Sequence, residues 1–152
     1  MHTMELYLKT EADTQTIGKT LAKIAQTGDV FALYGTLGMG KSVFARAFVQ
    51  ELCGNQEVPS PTFTLLQTYE ASNFDIYHFD LYRLKSAEEI FEIGMEEALY
   101  GGVSLIEWPD KMGGYLPKDI FKITIEPFKT GRKMTIQVAS EEKHTRLLTL
   151  GV

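Results

Sequence analysis

Apolar positions along the chain recur with two periods, and each predicts an element. Met4 to Leu8 reads as a short strand. Thr10, with Asp13 three residues on, opens a helix in which Ile17, Leu21, Ile24 and Ala25 repeat at helical spacing, and Gly28 stands as its stop. Val30 to Tyr34 is a continuous apolar run, the pattern of a strand covered on both faces, and it enters a glycine-rich turn. From Gly40 a second helix carries Phe44, Ala47, Phe48 and Leu52 on one side, with Gly54 placed to end it.

Phe63 to Tyr69 and Asp75 to Tyr82 flank the short polar connection Ala71-Ser72-Asn73 and predict a hairpin. Ser86 and Glu89 form a capping box for a third helix with Ile90, Phe91, Met95, Ala98 and Leu99 as its buried stripe. Val103 to Ile106 is a further apolar strand that ends at Glu107. Ile120 to Ile125 and Lys133 to Val138 read as a late β pair around Gly131, and Ser140 begins a polar tail with a small apolar end. Strands alternating with helices, and hairpins among them, give an α/β class with antiparallel strands mixed into the sheet. Turn signals are spread evenly and no repeat or linker interrupts them, so residues 1–152 are expected to form one domain.

Composition narrows the function. Of the 152 residues, 44% are apolar and 23% charged, which is ordinary for a globular domain. The 20 acidic against 15 basic side chains leave a net charge of -5, and the basic ones form no stripe, which argues against direct binding to nucleic acid. Cys53 is the one cysteine, so no internal disulfide can form. The longest uncharged stretch, Val58 to Tyr69, contains two prolines and cannot span a membrane. The start of the chain lacks a basic segment followed by an apolar run, so a cytoplasmic location is expected.

The chemistry begins at Gly35-Thr36-Leu37-Gly38-Met39-Gly40-Lys41-Ser42, which fits G-x-x-x-x-G-K-[ST] and lies between a predicted strand and a predicted helix. Backbone N–H groups must wrap a phosphate chain there, which needs backbone free of Cβ at Gly35, Gly38 and Gly40. The helix that starts with Ser42 and Val43 adds partial positive charge. Lys41 would supply a point charge to the β- and γ-phosphates, and the Ser42 hydroxyl a ligand for Mg²⁺. Residue types in the loop do not choose between ATP and GTP.

Carboxylates for the metal are candidates on spacing. Along Ile76 to Tyr82, Tyr77, Phe79 and Leu81 share one face, and His78, Asp80 and Tyr82 the other. That second face either borders a cleft or lies in water as the outer side of an antiparallel strand. Glu107 closes an apolar strand where open α/β sheets place their ligand crevice, a position suited to holding Mg²⁺ or orienting a water. Trp108 next to it reads as rim packing. Pro59-Ser60-Pro61-Thr62 is restricted to extended backbone, and it either presents the Thr62 hydroxyl to a γ-phosphate or merely starts a strand. His2, His78 and Cys53 have no ligand-like spacing, so no transition-metal site is expected.

Four segments in order resemble the TsaE (YjeE) family, bacterial P-loop ATPases that act in making threonylcarbamoyladenosine in tRNA. These are the phosphate loop, Ser60-Pro61-Thr62-Phe63-Thr64-Leu65, His78-Phe79-Asp80-Leu81-Tyr82-Arg83, and Ile106-Glu107-Trp108-Pro109. The resemblance implies a P-loop NTPase-like mixed sheet with flanking helices. It implies ATP and Mg²⁺ as ligands, Lys41 on phosphate, Ser42 on the metal, Asp80 and Glu107 near it, and Thr62 in a switch-like loop. It places the adenine between Thr10 and Glu11 and the late strands near Arg132. It further implies TsaD- and TsaB-like partners that carry the tRNA, with weak ATP hydrolysis that the partners stimulate. A small-molecule kinase and a nucleotide-gated binding module are the rival readings of the same loop. The few arginines (Arg46, Arg83, Arg132 and Arg146) weigh against the kinase.

Overall fold

The computed structural model describes residues 1–36 and 38–151. Seven strands form one sheet: β1 (His2–Leu8), β2 (Val30–Tyr34), β3 (Leu66–Glu70), β4 (Asp75–Asp80), β5 (Gly102–Glu107), β6 (Phe121–Phe128) and β7 (Gly131–Val138), in the spatial order β1-β7-β6-β2-β5-β4-β3. The central strands β6, β2, β5 and β4 are parallel. Antiparallel β3 flanks them on one side and the β7–β1 pair on the other. The parallel strands have both faces covered, which is why β2 reads as an unbroken apolar run and β5 as an apolar strand interrupted only by Ser104 before Glu107.

One face is covered by α1 (Glu11–Ala22), α2 (Lys41–Cys53) and α4 (Glu141–Leu148). Ile17 and Leu21, Phe44 and Phe48, and Leu147 pack there against Phe31, Leu33, Leu105 and Ile123. The other face is covered by the 3₁₀ helix Ala87–Phe91, by α3 (Met95–Gly101) and by the 3₁₀ segment Pro109–Tyr115, whose Ile90, Met95, Ala98 and Met112 meet Ala32, Phe79, Leu81 and Ile106.

The element pattern departs from the sequence expectation at several places. Helix α1 ends at Ala22, capped at Lys23, so Ile24 and Ala25 lie in the turn that follows it and not in the helix. Strand β3 begins at Leu66, not Phe63: the Leu65 amide donates to Pro61 O at 2.7 Å and Leu65 adopts φ 68°, which turns the chain away from the sheet. On β4, the strand ends at Asp80, before Tyr82. The helix expected after Ser86 is two pieces; Glu89 accepts from the Ser86 amide at 3.0 Å as a capping box, but Gly94 at φ 85° separates the 3₁₀ turn from α3. The tail after Ser140 is a helix, capped by the Ser140 hydroxyl accepting from the Lys143 amide at 3.2 Å.

What holds α4 is an ion pair that only tertiary contact creates. Arg146 donates to both oxygens of Asp29, at 2.6 and 2.9 Å, and to Ile24 O at 2.9 Å. The Asp29 side chain is 5% exposed and that of Arg146 12%, so the pair is largely withdrawn from water, with Glu142 also on Arg146 and the Gln26 amide also on Asp29.

Candidate functional site

The phosphate loop joins the C-terminal end of β2 to the start of α2 at the centre of the sheet. Gly35 holds φ 138°, and a Cβ there would stand 2.5 Å from Ile125 O, so neither its conformation nor its space admits a side chain. Gly40, in the left-handed region, is the N-cap of α2, and the amides of that first turn face the loop. Lys41 donates from Nζ to Gly35 O at 2.7 Å and lies 3.8 Å over the Trp108 ring centroid. It is 4% exposed. Burial pushes its ammonium below the ordinary lysine pKa, and Glu107, Asp80 and Asp110 pull it part of the way back.

Two acids converge on this loop because three strand ends lie side by side. Glu107 pairs in register with Leu33 of β2 and with Asp80 of β4. Both carboxylates are buried, at 3% and 5% exposure, so His78 and Asp80 of β4 do not lie in bulk water, whereas Tyr82 beyond the strand is exposed. Asp80 Oδ2 accepts from the Thr62 hydroxyl at 3.2 Å and the Ser60 hydroxyl at 3.5 Å, while Oδ1 accepts from the Tyr82 amide at 3.1 Å. The segment 59–62 is thereby fastened to Asp80. Glu107 Oε2 lies 2.7 Å from His78 Nε2.

A cavity of about 240 Å³ is lined by Gly38, Gly40, Lys41, Ser42, Val43, Glu107, Glu11 and Arg132. A second, of about 310 Å³, shares Glu11 and Arg132 with it and adds Thr10, Thr14, Met39 and Thr130. The positions expected for the base thus adjoin those expected for the phosphates. Thr36 is exposed and its carbonyl accepts from the Met39 amide at 3.3 Å, while Leu37 lies outside the described residues. Ser42, Asp80 and Glu107 offer hard oxygens alone, a donor set that suits Mg²⁺.

Trp108 reads from the sequence as rim packing; in the structure it takes a left-handed backbone, φ 60° and ψ 49°, and its ring lies beneath Lys41. No periodicity marks such a residue. The pairing of His78 with Glu107 was equally invisible, since it crosses two strands distant in sequence. His2 lies 2.8 Å from Glu141 and stacks on His144 with ring centroids 3.8 Å apart, three potential ligand residues that the chain spacing concealed. Their rings are parallel to within 5°, so their in-plane lone pairs do not meet at one point.

The model of the family described as threonylcarbamoyl adenosine biosynthesis protein TsaE matches residues 8–135. The TsaE protein of Rickettsia conorii is 41% identical over 147 residues, 96% of this chain and 82% of that protein. That of Bacillus subtilis is 36% identical over 115 residues, 75% of this chain and 72% of its own length. The crystal structure of Bacillus subtilis YdiB superposes with a TM-score of 0.84 at 27% identity, covering 99% of this chain and 95% of that one. With the family model matched over residues 8–135 and relatives of that name aligned over most of the chain, the chain belongs to the TsaE family of threonylcarbamoyl adenosine biosynthesis proteins.

Proposed function

We propose that residues 1–152 form a single cytoplasmic P-loop ATPase domain, which binds and hydrolyses Mg-ATP in the biosynthesis of tRNA threonylcarbamoyladenosine. The observation that carries this reading is the register of Asp80 with Glu107 beside the cavity lined by Lys41 and Ser42. Backbone amides of the loop and of the first turn of α2 bind the phosphates, and Lys41 adds charge to them once it leaves Gly35 O. Ser42, Asp80 and Glu107 would hold Mg²⁺, which neutralises charge that develops on the phosphoryl oxygens. Glu107 orients the attacking water. Thr10, Glu11 and Arg132 line the cavity for the base.

Partners complete the site in this reading. Among the described residues, Arg132 is the arginine that lines the phosphate cavity; Arg146 is bound to Asp29, Arg83 lies 4.5 Å over Phe63, and Arg46 is exposed on α2. Charge stabilisation is therefore modest, and Thr62 is held on Asp80. Binding of TsaD- and TsaB-like proteins would release or reorder residues 59–62 and raise a slow basal rate, with the tRNA held by those partners. Phosphate release by the chain alone, with TsaD and TsaB, and with a chelator tests this. Stimulation by the partners, loss on chelation and loss in Lys41→Ala are the expected results. Equal rates with and without bound partners would remove the partner-stimulated reading.

A further inference from the structure

The pairing of His78 with Glu107 is unlike the other polar contacts of the sheet. Both side chains are almost fully buried, 1% and 4% exposed, and their nitrogen and oxygen are 2.7 Å apart. His78 on β4 is in register with Leu105 on β5, so alternation brings its side chain to the same face as Glu107, two residues farther along. Where Glu107 is a carboxylate it only accepts, and Nε2 of His78 is then the donor. His78 Nδ1 is buried with no partner among the described residues. The imidazole therefore spends its hydrogen-bonding capacity on one atom, Oε2 of Glu107.

Glu107 is also a wall of the phosphate-loop cavity, and its second oxygen, Oε1, carries no hydrogen bond among the described residues. A glutamate has three side-chain torsions, and burial between strands does not by itself choose the last of them. Anchoring one oxygen does, because the other must then point along the opposite arm of the carboxylate. Groups that orient a water or a metal need placement to within about 0.5 Å, which partners behind them usually supply.

We propose that His78 is a positioning residue, which by donating from Nε2 to Oε2 of Glu107 presents Oε1 of Glu107 to the phosphate-loop cavity. This rests on the ATPase reading above for its effect on turnover, while the contact itself does not.

The test uses the whole chain in two measurements. In the first, phosphate release with TsaD and TsaB present is followed against ATP concentration for His78→Leu and His78→Gln, the latter chosen because its amide nitrogen reaches about as far as Nε2. His78→Leu is expected to lower kcat by about tenfold or more with KM within about threefold of the parent, and His78→Gln to restore most of kcat. Equal loss in both variants, a rise in KM that accounts for the loss, or no loss in either would overturn the proposal. In the second, nitrogen-15 NMR of the unmodified chain is expected to show His78 protonated at Nε2, with that proton protected and its protection lost in Glu107→Leu. A proton on Nδ1 alone, or protection unchanged in Glu107→Leu, would overturn it. A parent chain that releases no phosphate with bound partners would defeat the ATPase reading instead, and the NMR result then decides the contact by itself.

Discussion

The Lys41 ammonium lies 3.8 Å over the centroid of the Trp108 ring, and the same nitrogen donates to Gly35 O at 2.7 Å. The loop lysine is thus held by a carbonyl at the end of β2 and an aromatic face just after β5. A contact of this kind contributes roughly 0.5–2 kcal/mol, depending on how far it is desolvated. Trp108 is the one tryptophan of the chain, so emission excited at wavelengths that tyrosine does not absorb reports its surroundings alone. Saturating Mg-ATP is expected to change Trp108 emission as Lys41 moves to the phosphates. Lys41→Met is expected to shift the emission of the nucleotide-free chain and to abolish the response. Identical emission in the parent and Lys41→Met, both nucleotide-free, would show that the ring does not sense the lysine.

Thr62 and Asp80 form the second relationship with a consequence for activity. Thr62→Val keeps the shape but leaves Asp80 Oδ2 with the longer Ser60 contact at 3.5 Å. The stability loss is expected to be small, roughly 1–2 kcal/mol by denaturant melting, because Oδ1 keeps the Tyr82 amide. Turnover with partners should fall more than this stability change explains. A variant with unchanged kcat would reduce Thr62 to a residue that merely fastens the loop.

The Asp29–Arg146 pair is a purely structural prediction. Removing Asp29 takes two hydrogen bonds from the Arg146 guanidinium and leaves it with Glu142 and Ile24 O, at a cost of up to about 3–5 kcal/mol. Asp29→Ala is therefore expected to lower the melting temperature by roughly 6–20 °C. Protection from hydrogen exchange should be lost first in α4, whose Arg146 also binds Ile24 O at 2.9 Å. A shift of a degree or less would show that the pair is solvated in solution.

Acid should loosen the same helix. The Arg146 guanidinium beside Glu142 holds its carboxyl below the usual value of 4.5. Between the folded pKa and 4.5 the unfolded chain binds more protons, so this stabilisation is whole above 4.5 and is lost as pH falls through the folded pKa. Denaturant melts at stepped pH should show Glu142→Gln less stable than the parent at neutral pH and converging on it in acid. A constant difference at every pH would exclude the linkage.

The chain's own pattern determines a good deal of this molecule. The unbroken apolar run of β2 announces a strand covered on both faces, and G-x-x-x-x-G-K-S between strand and helix announces a phosphate loop, because both are local signals carried by adjacent residues. Capping pairs such as Thr10 with Asp13, whose carboxylate accepts from the Thr10 amide at 3.1 Å, are legible for the same reason. The reach of those signals ends within a few residues. That Asp80 and Glu107 stand side by side depends on β4 pairing in parallel with β5, which nothing within either segment specifies. The segment after Ser140 is polar enough to pass for a tail, and its helix is held by Arg146 meeting Asp29, more than a hundred residues earlier. Trp108 and His78 gain their contacts in the same way: one bends its backbone into the left-handed region to underlie Lys41, and the other reaches from β4 to Glu107 on the neighbouring β5. Periodicity encodes which face of an element is apolar, whereas the partner of a buried charge is set by strand order, and strand order is settled only when the whole sheet closes over its core.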